Sequence, residues 1–199
     1  NFLTKQEESE RRQKEFQERT VLFVDGLNVD EVVGQLLASE GFTSIEEVAY
    51  VESDEIASIE GFDEETAEEI QARAREHLEE RERQLDEERR TLGVEDDLRE
   101  IDGLTTAMLV ALGKDGVKTV EDLAGCATDD LVGWVERKQG EVERHAGALS
   151  EFDVSRADAE QMIIAARLKI GWITEADLAQ PETEEDGADS DASSDQFEA

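Results

Sequence analysis

When the 199-residue chain is shifted against itself by 75 positions, Val29 falls on Leu104, Val33 on Met108, Leu37 on Leu112, Gly41 on Gly116 and Phe42 on Val117. The same shift pairs Ile45 with Val120, Glu46 with Glu121, Val48 with Leu123, Ala49 with Ala124, Asp54 with Asp129 and Ile56 with Leu131. Further along, the shift becomes 92, and Ala67 pairs with Ala159, Glu68 with Glu160, Ile70 with Met162, Ala74 with Ala166 and Arg75 with Arg167. A chain that repeats in this way is built from two copies of one small module. The change from 75 to 92 gives the second copy 17 extra residues, which fall in the region 136–153.

Each copy reads as short helices. Val29, Val32, Val33, Leu36 and Leu37 recur at helical spacing, and Gly41 can take the left-handed backbone that ends such a helix. Ser44 and Glu47 have capping-box spacing ahead of Ile45, Val48 and Ala49, and Ser53 with Ile56 and Ile59 starts another helix that stops at Gly61. A longer helix follows from Asp63 through Ile70, Ala74 and Leu78 into a Glu/Arg-rich run ending near Arg90. No stretch reads as an alternating strand. The expected fold class is all-α, with two tandem helix-hairpin-helix-type acidic repeat domains joined by a charged helix and linker and followed by a disordered acidic tail. Ile59-Glu60-Gly61-Phe62 is the clearest hairpin, with Ile59 and Phe62 turned inward and Gly61 at the bend. Gly41 and Gly116 are the other hairpin glycines.

Charge decides which partners such helices can serve. The chain has 20 Lys+Arg against 54 Asp+Glu, a formal net charge of −34, which argues against a polyanion as partner because nucleic-acid binding begins with cations displacing phosphate counterions. Residues 27–78 hold fifteen acids and two arginines, and 173–199 hold ten acids and no base. From 181 onward only Phe197 is large and apolar, so the tail is expected to be disordered. The expected divisions are a connecting helix over 1–26, repeat one over 27–78, a charged helix and linker over 79–96 that frays where Glu82 and Asp86 repel, repeat two over 97–180, and the tail over 181–199.

Catalytic and metal-binding patterns are not found in the sequence. One cysteine, Cys126, and two widely spaced histidines, His77 and His145, give too few soft ligands for a structural zinc site, so no metal and no cofactor is expected. No HExxH, GxSxG, Walker or GxGxxG pattern occurs, so the chain is not expected to be an enzyme. No apolar run approaches the length of a membrane span. The single cysteine and an opening at Asn1 in mid-helix style, without Met, fit a piece of a longer cytoplasmic protein, and a monomer is expected.

These residues resemble a known family, the C-terminal acidic repeats of the bacterial transcription elongation, termination and antitermination factor NusA. Phe2-Leu3-Thr4 and the Glu/Arg helix after it are similar to the segment that follows that factor's RNA-binding KH domains. The stretches 32–37 and 40–50 resemble the first acidic repeat; 98–112, 118–124 and 165–172 resemble the second, more loosely. The resemblance implies a binding role. Its partners would be the C-terminal domain of the RNA polymerase α subunit, the KH domains of the same full-length protein, whose RNA site the second repeat can mask, and in some bacteria a phage antitermination protein. Direct DNA or RNA binding by this fragment is not expected. Asp153 stands where Gly61 would recur, so the second hairpin of repeat two must be rebuilt.

The candidate partner-binding residues are Glu46, Glu47, Asp54 and Glu55 in the first copy and Glu121, Asp122, Asp129, Asp130 and Trp134 in the second. The same carboxylates also suit plain helix capping, since negative charge complements a helix N-terminus. Trp134 and Trp172 are expected as core or hinge aromatics, Cys126 as a small apolar filler, and both histidines as solvated. Two other readings compete with protein docking. Lys114 and Lys118 flank Gly116, which suggests a weak nucleic-acid-binding helix-hairpin-helix module. The chain could also be an acidic solubilising segment, distinguished by losing all binding as salt rises.

Overall fold

The computed structural model describes the backbone of residues 2–179 and side chains from Thr4 onward. The acidic tail expected over 181–199 lies outside the described residues. Two compact units form, each described by itself below.

The first unit comprises residues 2–95 with 104–118. It holds helices α1 (Phe2–Leu27), α2 (Glu31–Ser39), α3 (Ile45–Tyr50), α4 (Ser53–Ala57), α5 (Glu64–Thr91) and α6 (Thr106–Lys114). The helix starts follow from side-chain caps. Asp30 accepts from Val33 N, Ser44 from Glu47 N, Asp63 from Thr66 N and Thr105 from Met108 N, each taking up one of the donors that a helix start leaves free. Gly41 and Gly61 take φ of 99° and 92°, as the bends after α2 and α4 require. Leu37, Ile45, Val48, Ala49, Ile56, Ile59, Ala67, Ile70 and Ala74 form a buried core, closed on one side by Phe23 and Leu27 from the last turns of α1. Burial is worth about 1.5–3 kcal/mol for each large side chain among these. The backbone of α1 approaches α2 closely at Gly34, where a Cβ would sit 3.0 Å from the carbonyl oxygen of Thr20.

Helix α5 corrects one sequence expectation. It runs unbroken for 28 residues instead of fraying near Glu82 and Asp86. Asp86 accepts from Arg89 Nε at 2.9 Å and pairs with Arg90 at 3.0 Å, so its charge is answered from the C-terminal side. Arg83 also pairs with Glu80 at 2.5 Å. Several i,i+3 and i,i+4 attractions outweigh the single repulsion.

The second unit comprises residues 96–103 with 119–179. A 3₁₀ turn (Asp96–Glu100) precedes α7 (Val120–Ala124), α8 (Thr128–Val132), strands β1 (Trp134–Lys138) and β2 (Glu141–His145), α9 (Arg156–Lys169) and α10 (Glu175–Leu178). Thr119 and Asp122 close a reciprocal capping box on α7, and Ser155 caps α9 through Asp158 N at 3.0 Å. Leu98, Val120, Leu123, Ala124, Leu131, Leu149, Ala159, Met162 and Ala166 are buried.

Within the mainly helical fold, the hairpin β1–β2 is a second correction, since no strand was expected. The strands pair antiparallel from Trp134 opposite His145 to Lys138 opposite Glu141. Gln139 and Gly140 turn the chain with φ of 50° and 86°, the two positive values of a tight type I′ hairpin turn. The hairpin lies in the inserted region and replaces the glycine corner of the first copy. Gly133, at φ 80°, opens the detour, and a Cβ there would lie 2.2 Å from the His145 carbonyl oxygen. The chain returns through Gly147, which packs on the Leu131 backbone, and Leu149 N donates to Leu131 O at 2.8 Å.

Candidate protein-interaction surface

The candidate carboxylates sit where short helices begin. In the first unit Glu46 and Glu47 occupy the first turn of α3, and Asp54 and Glu55 that of α4. Glu47 reaches back to Thr43, accepting from its hydroxyl and, at 3.4 Å, from its backbone N–H. Glu46 has no such tie. It borders an open groove of about 910 Å³ beside Tyr50, Arg75, Leu78 and Thr105. Tyr50, 73% exposed, is a large aromatic at the surface that the charge-based reading did not single out, although its place at the end of α3 beside Glu46 is a usable signal.

In the second unit the carboxylates divide by role. Glu121 and Asp122 open α7, with Asp122 spent on the capping box. Asp130 accepts from Ala127 N at 2.8 Å, and Asp129 pairs with Arg156 at 2.5 Å. Capping thus accounts for Asp122 and Asp130, and a local ion pair for Asp129. Glu121 is exposed in the first turn of α7, where its charge complements the helix start.

The tryptophans correct the core half of their expected core-or-hinge role, while Trp134 is accessible, as its candidacy for partner binding requires. Trp134 is 44% exposed and Trp172 54%, so neither is a core aromatic. Trp134 stacks on His145, with ring centroids 4.4 Å apart and planes at 18°, which also makes His145 half-buried where solvation was expected. Cys126 is buried, as an apolar filler would be, and burial together with the charges of Asp130 and Asp122 pushes its thiol pKa up, away from a reactive thiolate.

The hairpin glycines test a phosphate role. Nucleic-acid-binding helix-hairpin-helix units offer free backbone N–H groups at the start of the second helix. After Gly61 that place is taken by Asp63, whose carboxylate accepts from Thr66 N at 2.8 Å and whose pKa is held below the usual aspartate value by that bond. After Gly41 the position is capped by Ser44, and after Gly116, at φ 86°, by Thr119. Lys114, beside Gly116, is engaged by Glu88 at 3.2 Å. Among the described residues no helix is long and apolar enough to cross a membrane.

Comparison with known proteins agrees with this architecture. Residues 26–76 match the family described as SAM-like Helix-hairpin-helix tandem. The chain is 37% identical over 131 residues to the transcription termination/antitermination protein NusA of Rickettsia conorii (strain ATCC VR-613 / Malish 7), and equally to that of Rickettsia prowazekii (strain Madrid E). Each match covers 66% of this chain and 26% of the relative, so the chain spans about a quarter of the length of the curated relatives it matches. The resemblance read from the acidic repeats is thereby met: over 131 residues the chain is similar to NusA transcription termination/antitermination proteins, and over 26–76 it matches a helix-hairpin-helix tandem.

Proposed function

We propose that this chain is a non-catalytic interaction region of a transcription termination/antitermination factor, docking on RNA polymerase through the C-terminal domain of its α subunit and covering the factor's own RNA-binding KH domains. One observation carries the reading: the helix starts that follow the hairpin glycines are already capped by side chains of this chain, as at Asp63 on Thr66 N. A phosphate finds those donors taken and meets a field of net charge −34. A basic protein surface meets the opposite situation. The exposed glutamates of α3 and α7 supply long-range attraction, and exposed aromatics such as Tyr50 and Trp134 supply the apolar contacts that give a docked complex its lifetime. Like-signed repulsion of RNA then makes the acidic face of either unit, taken by itself, a competitor for the basic face of a KH domain.

The test is an NMR titration of the ¹⁵N-labelled chain with the α C-terminal domain, and separately with the KH pair, at low salt. Chemical-shift changes grouped on α3 and α7, and persisting in part at raised salt, are expected. Absence of shifts with both partners, or tighter association with RNA than with either, sinks the reading. A phage antitermination protein as partner of the first unit is tested in the same format.

A further inference from the structure

The inserted hairpin brings together groups that the chain keeps apart. In its register Glu136 faces Glu143 and Trp134 faces His145, and because alternate residues share a side of a strand, all four lie on one face. Nε2 of His145 is 3.4 Å from Oε2 of Glu136 and 4.0 Å from Oε2 of Glu143, and one ligand atom from each of the three lies within 4.8 Å of the others. Around a tetrahedral ion with bonds of about 2.0–2.2 Å, donor atoms stand roughly 3.3–3.6 Å apart, so rotamer adjustments of about 1 Å close the site. We propose that this face binds one divalent transition-metal ion of the zinc class through Nε2 of His145 and one carboxylate oxygen each of Glu136 and Glu143, with solvent completing the coordination.

The surroundings suit this use. Two glutamates directly opposite each other repel, and a bound cation turns that cost into attraction. Lys138 Nζ holds Oε1 of Glu136 at 2.7 Å, which leaves Oε2 turned toward His145, the outer partner that ligating carboxylates commonly have. The stack on Trp134 holds the imidazole plane. His145 and Glu136 are about one-third exposed while Glu143 is open, so an ion and its water have a way in. Magnesium and calcium prefer all-oxygen ligand sets, whereas the imidazole nitrogen of His145 favours the zinc class.

The experiment is a titration of the 199-residue chain with zinc chloride at physiological ionic strength, followed by calorimetry and by the Trp134 indole and His145 ring NMR signals. One saturable site that moves those signals is expected, weakened about tenfold or more in His145→Ala and in Glu143→Gln, and unchanged in His77→Ala. Glu143→Gln keeps the size of an exposed side chain, so it reports on coordination even if His145→Ala loosens the hairpin. Unaltered zinc affinity in Glu143→Gln, or magnesium displacing zinc at equal concentration, overturns the proposal.

Discussion

The Nε of Arg167 donates to the carbonyl oxygen of Ala124 at 2.9 Å, and Arg75, which falls on Arg167 when the copies are aligned, donates likewise to Ala49 at 3.3 Å. Both alanines are fully buried near the C-terminal ends of five- and six-residue helices, where carbonyls lack partners within the helix. A guanidinium on the long helix of each copy therefore satisfies the end of a short one. Replacing Arg167 with Met leaves a buried carbonyl unpaired and should cost about 1.5–3 kcal/mol by urea unfolding, with Arg75→Met costing less because its bond is longer. Losses under 0.5 kcal/mol at both sites would show the bonds to be incidental.

Leu149 takes over the place of Ile59. In the first copy Phe62 N donates to Ile59 O at 2.9 Å, and in the second Phe152 N donates to Leu149 O at 3.0 Å, with Ile59 and Leu149 both buried. The 92-residue shift pairs Ile59 instead with Glu151, which is exposed. Leu149→Ala should therefore cost about 2–5 kcal/mol and Glu151→Ala within about 0.5 kcal/mol of nothing. Equal effects would mean that the hairpin does not deliver Leu149 to the core.

This pair shows where reading the residues succeeds and where it stops. The buried positions came in matched pairs, Val48 with Leu123, Ile56 with Leu131 and Ala74 with Ala166, because periodic apolar residues and N-caps are local signals that survive without tertiary information. The insertion did not yield in the same way. Its residues Val135 and Val142 alternate with charged neighbours about a Gln139-Gly140 turn, a hairpin signal weaker than Asn-Gly and buried in a helical context. The convergence of Glu136, Glu143 and His145 was invisible for the same reason, since it exists only once the strand register is known. Whether Trp134 and Trp172 were core or exposed was not decided by residue type, which reports size and apolarity, not which side of the chain faces a core.

Asp63 sets an acid sensitivity for α5. Its folded pKa is lowered, chiefly by the bond from Thr66 N, so the ionised cap favours the folded state above the ordinary aspartate value, about 3.9, and that contribution fades as pH falls through the lower folded value. Asp63→Asn keeps an N-cap acceptor and removes the titration. Its urea midpoint, measured from pH 6 to pH 2.5, should fall less steeply than that of the unaltered chain at the acid end. Identical acid slopes would place the sensitivity on other carboxylates.

Arg89 is the buried charge on which the end of α5 depends. Only 1% exposed, it donates from Nε to Asp86 at 2.9 Å and from a terminal nitrogen to the Val94 carbonyl at 2.8 Å, and so ties the helix end to the turn that follows. The last turn is also where a cation meets the negative end of the helix. Arg89→Met keeps the length of the side chain but deprives Asp86 and the Val94 carbonyl of this donor, at an expected cost of about 3 kcal/mol. Adding Asp86→Ala removes the carboxylate that Arg89 had bonded, and the double variant should recover part of the deficit, although Arg90 then loses its own pairing with Asp86. Hydrogen exchange at the amides of Leu92 and Val94, which donate to Glu88 and Arg89, reads the effect locally. Protection there that is unchanged in Arg89→Met would show that apolar packing alone holds the helix end, and that the buried guanidinium is tolerated without being needed.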